Sequence, residues 1–305
     1  GGGISVLQGT APYFENTRID SNTADVGGSY SNYYYGQVRG GGIYLQGRYE
    51  NDPPIKFVNC SISNNVAKGT TVAGGGVFTS YAQTQFINTV ITNNLAFAAY
   101  NSGSGNVKTR GGGIYCYPNS NNNNTNPNYS SSDPLTLLVN CTVANNKLKY
   151  IAASSITWSG AGILREQYNS PVQIMNSIIY HNTVVGEESN SGAYHKMNLS
   201  YGEYYWGTQE STVGYSFIEH ADDAGVDGDE VYEYSPAFSD TANGDFSLSI
   251  ASLAIGAGVS EYEDVDAPAY DYNNSARPNP AGSNPDLGAF ENSLSSSPYP
   301  AKPQS

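Results

Sequence analysis

Charge is what this 305-residue chain has least of. Asp, Glu, Lys and Arg together make up 13% of it, about half the share of an ordinary soluble domain. Only 13 residues are Lys or Arg against 27 Asp or Glu, for a net charge of −14. Nucleic-acid binding draws most of its strength from cations set against phosphates, so a nucleic-acid partner is excluded. No apolar run approaches the ~20 residues of a membrane-spanning helix. No secretory leader stands at Gly1, and the chain opens abruptly inside a repeat, as a mature product or an excised fragment would. Cysteine is scarce and odd in number, three in all, so the thiols cannot all be paired within the chain.

What is present instead is glycine (34), tyrosine (26) and a wealth of Asn, Ser and Thr, with 38% apolar and 12% aromatic residues. That is enough to build a core, in a composition that favours strands over helices. The tail "NSLSSSPYPAKPQS" is rich in Ser and Pro and reads as a linker over 293–305.

Two repeats alternate along the chain. One is a glycine run entering a short strand: "GGGISVL" at 1, "GGGIYLQ" at 40, "GGGVFTS" at 74, "GGGIYCY" at 111, and a worn copy, "SGAGILRE", at 159. The other begins at Phe14 (FENTRIDSNTA), Phe57 (FVNCSISNNVA), Phe86 (FINTVITNNLA), Leu138 (LVNCTVANNKL) and Ile174 (IMNSIIYHNTV). Its first column is apolar and its third is Asn (16, 59, 88, 140, 176). The fourth is small, the sixth is β-branched (19, 62, 91, 143, 179), and the ninth is Asn again (22, 65, 94, 146, 182). Columns five and seven vary, as outward positions do.

This alternation is a strand pattern broken at corners. Stacked in parallel about 4.8 Å apart, equal columns become ladders, with apolar residues and Asn amides each meeting their own kind. The spacing between copies runs from 29 residues (Phe57 to Phe86) to 52 (Phe86 to Leu138), which places insertions of different length at the corners. The expected fold is all-β: a right-handed parallel β-helix of about six rungs over 1–220, with long corner loops. Three strands per rung are expected, and both Asn columns are expected to point inward. That orientation would keep a glycan off Asn59 and Asn140, which satisfy the N-glycosylation triplet. An irregular C-terminal segment, 221–292, is expected to pack on the solenoid. Cys60 and Cys141 share a column two rungs apart, roughly 9.6 Å at that spacing, too far for a disulfide.

The paired GGGI and FxNxxIxxN signatures resemble those of bacterial surface solenoids such as the chlamydial polymorphic outer-membrane proteins. "SPAFSDTANGDFSLSIASLAIGAG" (235–258) with "SARPNPAGSNPDLGAFE" (275–291) is similar to the segment closing the β-helix in choice-of-anchor Q proteins, secreted proteins common in Bacteroidetes. The resemblance implies a secreted or cell-surface location and little about activity. The chain departs from it at Gly256, where that family usually has Asp. It also makes Asp240-Thr241-Ala242 a candidate O-glycosylation site, at Thr241.

Polysaccharide lyases and hydrolases share this fold and need charged groups on an outer face. The outward columns of the repeats carry only Arg18 and Asp20 as charges, which is no carboxylate pair. His181, His195 and His220 read as scattered, sharing no i, i+4 spacing and no column, so no metal is expected on them. The acidic run of Asp222, Asp223, Asp227, Asp229 and Glu230 offers oxygen ligands for Ca²⁺ but not at EF-hand spacing, so the expectation is no cofactor unless Ca²⁺ binds there. Candidate binding residues are the outward aromatic stripe Tyr44, Phe78 and Tyr115, and the tyrosine-rich insertions with Tyr33, Tyr34, Tyr35, Tyr204, Tyr205 and Trp206. Such rings can stack on sugars or anchor a protein. The stripe is expected either to be covered by the C-terminal segment or a tyrosine loop, or to serve as a platform.

The function expected is a secreted or cell-surface structural or adhesive protein, non-catalytic. Its partners would be a glycan, another surface molecule, or a second copy stacked head to tail on the N-terminal rung into filaments. The alternative is a carbohydrate-active enzyme or glycan-binding module on the same fold.

Overall fold

A computed structural model describes residues 1–7, 10–27, 37–47, 53–100, 108–117, 136–150, 159–165, 171–185, 195–196, 198–201, 211–221 and 228–298. The elements fully within these residues are strands and one 3₁₀ turn at Thr241–Asn243. The strands stack in parallel into a solenoid, a parallel β-helix of six rungs. Each rung contributes one strand to a six-stranded sheet: Ile4–Val6, Ile43–Gln46, Val77–Ser80, Ile114–Tyr117, Ile163–Arg165 and Leu199–Tyr201. The register is in step, Ile4 opposite Ile43, Ile43 opposite Val77, and Val77 opposite Ile114.

The second repeat builds two strand stacks that meet at the third-column corner. Rung three supplies Thr84–Ile87 before that corner and Val90–Thr92 after it. In the last rung one long strand, Thr212–Ile218, runs through the corner and joins both stacks into a single twelve-stranded sheet. The rungs hold more than the three strands expected. A further stack follows the ninth column (Thr23–Asp25, Val66–Gly69, Leu95–Ala98, Lys147–Tyr150, Thr183–Val185), and another precedes the glycines (Gln37–Arg39, Thr71–Ala73, Lys108–Arg110).

The core is the stack of inward columns. Ile43, Ile62, Ile91, Ile114, Val143, Ile163 and Ile179 are buried in one cluster. The first-column rings continue it, Phe14 on Phe57 at 4.8 Å between centroids and Phe57 on Phe86 at 5.3 Å. All three cysteines are free and buried. Cys60 and Cys141 hydrogen-bond carbonyls of their own and the preceding rung, and burial pushes the Cys141 thiol up to about 12. These are packing thiols, inert as nucleophiles.

The two Asn columns do different jobs, which corrects the expectation that both point inward. The ninth column is the inward ladder. The Asn65 amide donates to Asn94 Oδ1 (2.9 Å), Asn94 to Asn146 Oδ1 (2.9 Å) and Asn146 to Asn182 Oδ1 (2.9 Å), each also donating to a backbone carbonyl one rung back. The third column sits at left-handed corners, with φ of 47–51° at Asn16, Asn59, Asn88, Asn140 and Asn176, and its amides point out of the solenoid. Asn140 donates to Asp286 O (2.9 Å), Asn176 to Val259 O (2.7 Å) and Asn88 to Tyr270 O (2.5 Å), all on the C-terminal segment. Asn140 is sealed there, whereas Asn59 is half-buried.

The glycine runs have three separate reasons. In rung three only Gly74 has positive φ (73°). A Cβ on Gly75 would collide with the carbonyl of Gly112 in the next rung, and one on Gly76 would lie 2.9 Å from the ladder amide of Asn94. Glycine opens the corner and then lets the backbone press against the ladder.

The C-terminal segment lies over the outer face of the twelve-stranded sheet. Ile178, Tyr180 and Phe217 pack against Leu248, Ala254, Ile255 and Leu287. Val90 and Ala144 meet Phe246 and Ala289, while Leu137, Val139 and Met175 meet Val259, Tyr262 and Val265. Outward positions that would otherwise be wet thus become a second core. The segment is itself pinned by a sealed polar cluster. Arg277 Nε lies 3.3 Å from Glu291 Oε2, with both side chains wholly buried. Asp286 accepts from the backbone N–H groups of Gly256 and Asn292, and Asp271 from those of Asn273, Ser275 and Glu291. Burial, and then the Glu291 charge, push Asp286 up to about 7.

Candidate functional site

The segment leaves the outer face of the first rungs uncovered, and a groove of about 320 Å³ runs between the two. Its floor is three rungs of the post-corner stack: Arg18, then Ser61, Ser63 and Asn64, then Val90, Thr92 and Asn93. Strand alternation places Arg18, Ser61 and Val90 in one outward column, and the register confirms it, with Arg18 opposite Ser61 and Ser61 opposite Val90. Asn64 and Asn93 occupy the next left-handed corner (φ 56° and 57°), a conformation Asn tolerates better than most residues. The facing wall is Asn243, Gly244, Phe246, Tyr272 and Phe290. Tyr272 and Phe290 form an edge-to-face pair with ring centroids 5.2 Å apart, and both are part-exposed.

The groove is electrically balanced. Arg18 Nη2 donates to Asp20 Oδ2 at 3.1 Å, with the arginine side chain 73% exposed and the aspartate 20%. Hydrogen bonds from Asn64 (2.8 Å) and Ser63 (2.7 Å) hold the Asp20 carboxyl down at about 2. So strongly acidic a group does not serve as a proton shuttle near neutrality. Asn93 makes no side-chain hydrogen bond among the described residues.

Among the described residues no second carboxylate faces Asp20 from a neighbouring rung. By register Glu15 faces Val58, Asp20 faces Ser63 and Asp25 faces Lys68. Asp25 and Lys68, an ion pair at 3.0 Å, and Lys149, over the Phe97 ring at 4.9 Å, lie on strands that the sequence columns left out. Asp240 with Asp245, and Glu261 with Asp266, face each other across hairpins of the C-terminal segment. All four are exposed, and Asp240 and Asp245 lie on the hairpin that carries Asn243, Gly244 and Phe246 of the groove wall.

The aromatic stripe is not an open platform. Phe78 and Tyr115 are each 1% exposed and Leu164 is buried beside them. Tyr44 stacks on Phe78 at 5.3 Å, and the Arg39 and Arg110 guanidiniums lie over Phe78 and Tyr115 at 5.2 and 5.9 Å. The C-terminal segment packs on the twelve-stranded sheet and not on this one. Tyr33, Tyr34, Tyr35, Tyr204, Tyr205, Trp206, Asp222, Asp223 and Asp227 lie outside the described residues. Of the remaining acidic candidates, Asp229 accepts from the Tyr262 hydroxyl (3.1 Å) and Glu230 is exposed; among the described residues no group of three His, Cys, Asp or Glu could hold a metal ion. Thr241 is half-exposed on the 3₁₀ turn, next to Asp240, whose carboxylate caps that turn. His181 and His220 stand at left-handed corners in one column of neighbouring rungs, which corrects the expectation that the histidines share none.

Sequence reasoning missed the groove because its wall comes from a non-repeating segment more than 200 residues away from Arg18. The fold is that of a parallel β-helix, with a groove between its first rungs and the C-terminal segment. No protein-family model, curated protein or solved structure matches the chain. No helix among the described residues is long and apolar enough to cross a membrane.

Proposed function

We propose that this chain is a non-catalytic structural or adhesive β-helix of the secreted or cell-surface kind, using its outer face for binding. The observation that carries the reading is the pairing of outward columns: among the described residues Glu15, Asp20 and Asp25 each face a neutral or cationic neighbour, so no second carboxylate faces Asp20 across the rungs of the groove floor. The three carboxylates clustered most tightly, Asp271, Asp286 and Glu291, are sealed around Arg277 and serve as a latch. Kinship with choice-of-anchor Q proteins fits the motifs at 235–258 and 275–291 and is part of the proposal, as is self-association along the edge of Ile4–Val6 and Arg18–Asp20.

A panel of neutral and acidic polysaccharides, assayed for new reducing ends and for unsaturated uronate absorbance with and without Ca²⁺, should show no turnover. Turnover lost on changing Asp20, Asp240 or Asp245 would overturn the reading. The second reading, a glycan-binding module, is favoured by the groove itself.

A further inference from the structure

We infer that the groove beside the first three rungs is a binding site for a neutral oligosaccharide segment. The inference rests on the non-catalytic reading above and names the ligand class for the same groove. A sugar ring offers a C–H face and a rim of hydroxyls, each able both to donate and to accept. The groove meets both demands. Tyr272 and Phe290 give one wall aromatic surface. The floor gives hydroxyls from Ser61 and Thr92 and the amide of Asn93, while Ser63 and Asn64, already donating to Asp20, keep their oxygens as acceptors. These repeat at the rung spacing of about 4.8 Å, so successive hydroxyls of an extended chain meet successive rungs.

Charge chooses the kind of sugar. The one cation, Arg18, is already bound to Asp20 at 3.1 Å, and that carboxylate stays ionised. A uronate or sulfated chain would therefore gain little from Arg18. It would also approach a molecule of net charge −14, past the exposed carboxylates of Asp240 and Asp245 on the hairpin that carries Asn243. A neutral chain meets no such opposition and still finds the outer guanidinium N–H groups as donors. The volume, about 320 Å³, is at the lower end of small-ligand sites; a short stretch of chain, not a large ligand, fits it.

The test is titration calorimetry on the full chain with neutral oligosaccharides (β-glucan, mannan and galactan fragments) and with oligogalacturonate. Two variants report on the site: Arg18→Ala, which removes an exposed side chain, and Asn93→Gly, which keeps the left-handed corner. The expected result is saturable binding of at least one neutral fragment, weakened about tenfold or more by each variant, the loss expected for one lost polar contact to a sugar. Melting temperatures should stay the same. Binding that persists unchanged in the Arg18→Ala, Asn93→Gly double variant overturns the assignment, as does preference for oligogalacturonate or no saccharide binding at all. Product analysis of the same samples separates the two readings. A neutral fragment that binds and is cleaved refutes the non-catalytic reading and leaves the ligand class standing. A chain that neither binds nor cleaves refutes the ligand class alone.

Discussion

Replacing Asn94 by Ala should cost this solenoid as much as losing any single Asn of the ladder. Its side chain makes four hydrogen bonds at a site with no solvent access: to Ile62 O at 2.8 Å and Asn146 Oδ1 at 2.9 Å as donor, and from Asn65 N at 3.0 Å and Asn65 Nδ2 at 2.9 Å as acceptor. Asn146 Oδ1 keeps the bond from Asn94 N, but Ile62 O, Asn65 N and Asn65 Nδ2 lose partners in a dry interior. At about 0.5–1.5 kcal/mol per bond the loss is roughly 2–6 kcal/mol, a large part of the ~5–15 kcal/mol that holds a typical domain. Two comparisons isolate the effect. Asn88→Gly keeps the positive φ and removes donations to Asn59 and Tyr270 only, so it should cost about half as much, roughly 1–3 kcal/mol. Asn16→Gly, at an exposed corner where the Asn makes no side-chain bond among the described residues, should lie within about 0.5 kcal/mol of the parent. Urea unfolding followed by circular dichroism measures all three. A loss for Asn94→Ala no larger than that for Asn16→Gly would mean that the ninth column is no ladder.

Three further predictions concern the C-terminal segment and the rung edge. Asp286, facing Glu291 and Arg277, has its folded pKa raised to about 7, so its contribution is fully present below the ordinary carboxyl value near 4 and is lost as pH rises through about 7. Melting curves from pH 5 to 8 should show the parent falling relative to Asp286→Asn as pH rises; parallel curves would refute the latch. A chain ending at Glu233 should bind hydrophobic dye and aggregate, because Ile178, Tyr180 and Phe217 lose Leu248, Ile255 and Leu287; unchanged dye binding would mean that the second core contributes little. Self-association along the Ile4–Val6 edge predicts sedimentation that grows with protein concentration, and a monomer at every concentration removes it.

The solenoid was legible in the sequence because its physics repeats. Ile62, Ile91, Val143 and Ile179 recur at one offset from an apolar residue, and only stacking explains that column. The orientation of the third column was not legible. An Asn that turns a left-handed corner and an Asn that runs an inward ladder are chosen for the same short amide, and the letters are identical at Asn88 and Asn94. The additional stacks at Val66–Gly69 and Thr71–Ala73 escaped for a different reason. Their outward neighbours change from Asp25 to Lys68 to Phe97 to Lys149, so no column identity marks them. The groove was least legible of all. Arg18 and Asp20 stood out as the only charges of the outward columns, but nothing local to Tyr272 or Phe290 says which rung they reach.

The ninth-column ladder also has an ending. Beyond Asn182, whose amide reaches Asn198 Oδ1 at 2.8 Å, the repeat has no further Asn, and Asn198 stands instead at the glycine-run position before Leu199–Tyr201. Its amide donates to the backbone carbonyl and to the carboxylate of Glu219, both at 3.0 Å, and that carboxylate also takes the N–H of His181 at 2.8 Å. Each Asn receives a hydrogen bond on its oxygen and passes one on from its nitrogen, so the column is a one-way relay. A carboxylate receives and has nothing to pass on. Glu219 is therefore a stop signal written in hydrogen-bond polarity: a seventh Asn placed after it would find no donor offered, while a copy of rung three inserted between rungs two and four would relay without interruption. Duplication within the stack keeps the relay running, whereas extension past Glu219 breaks it.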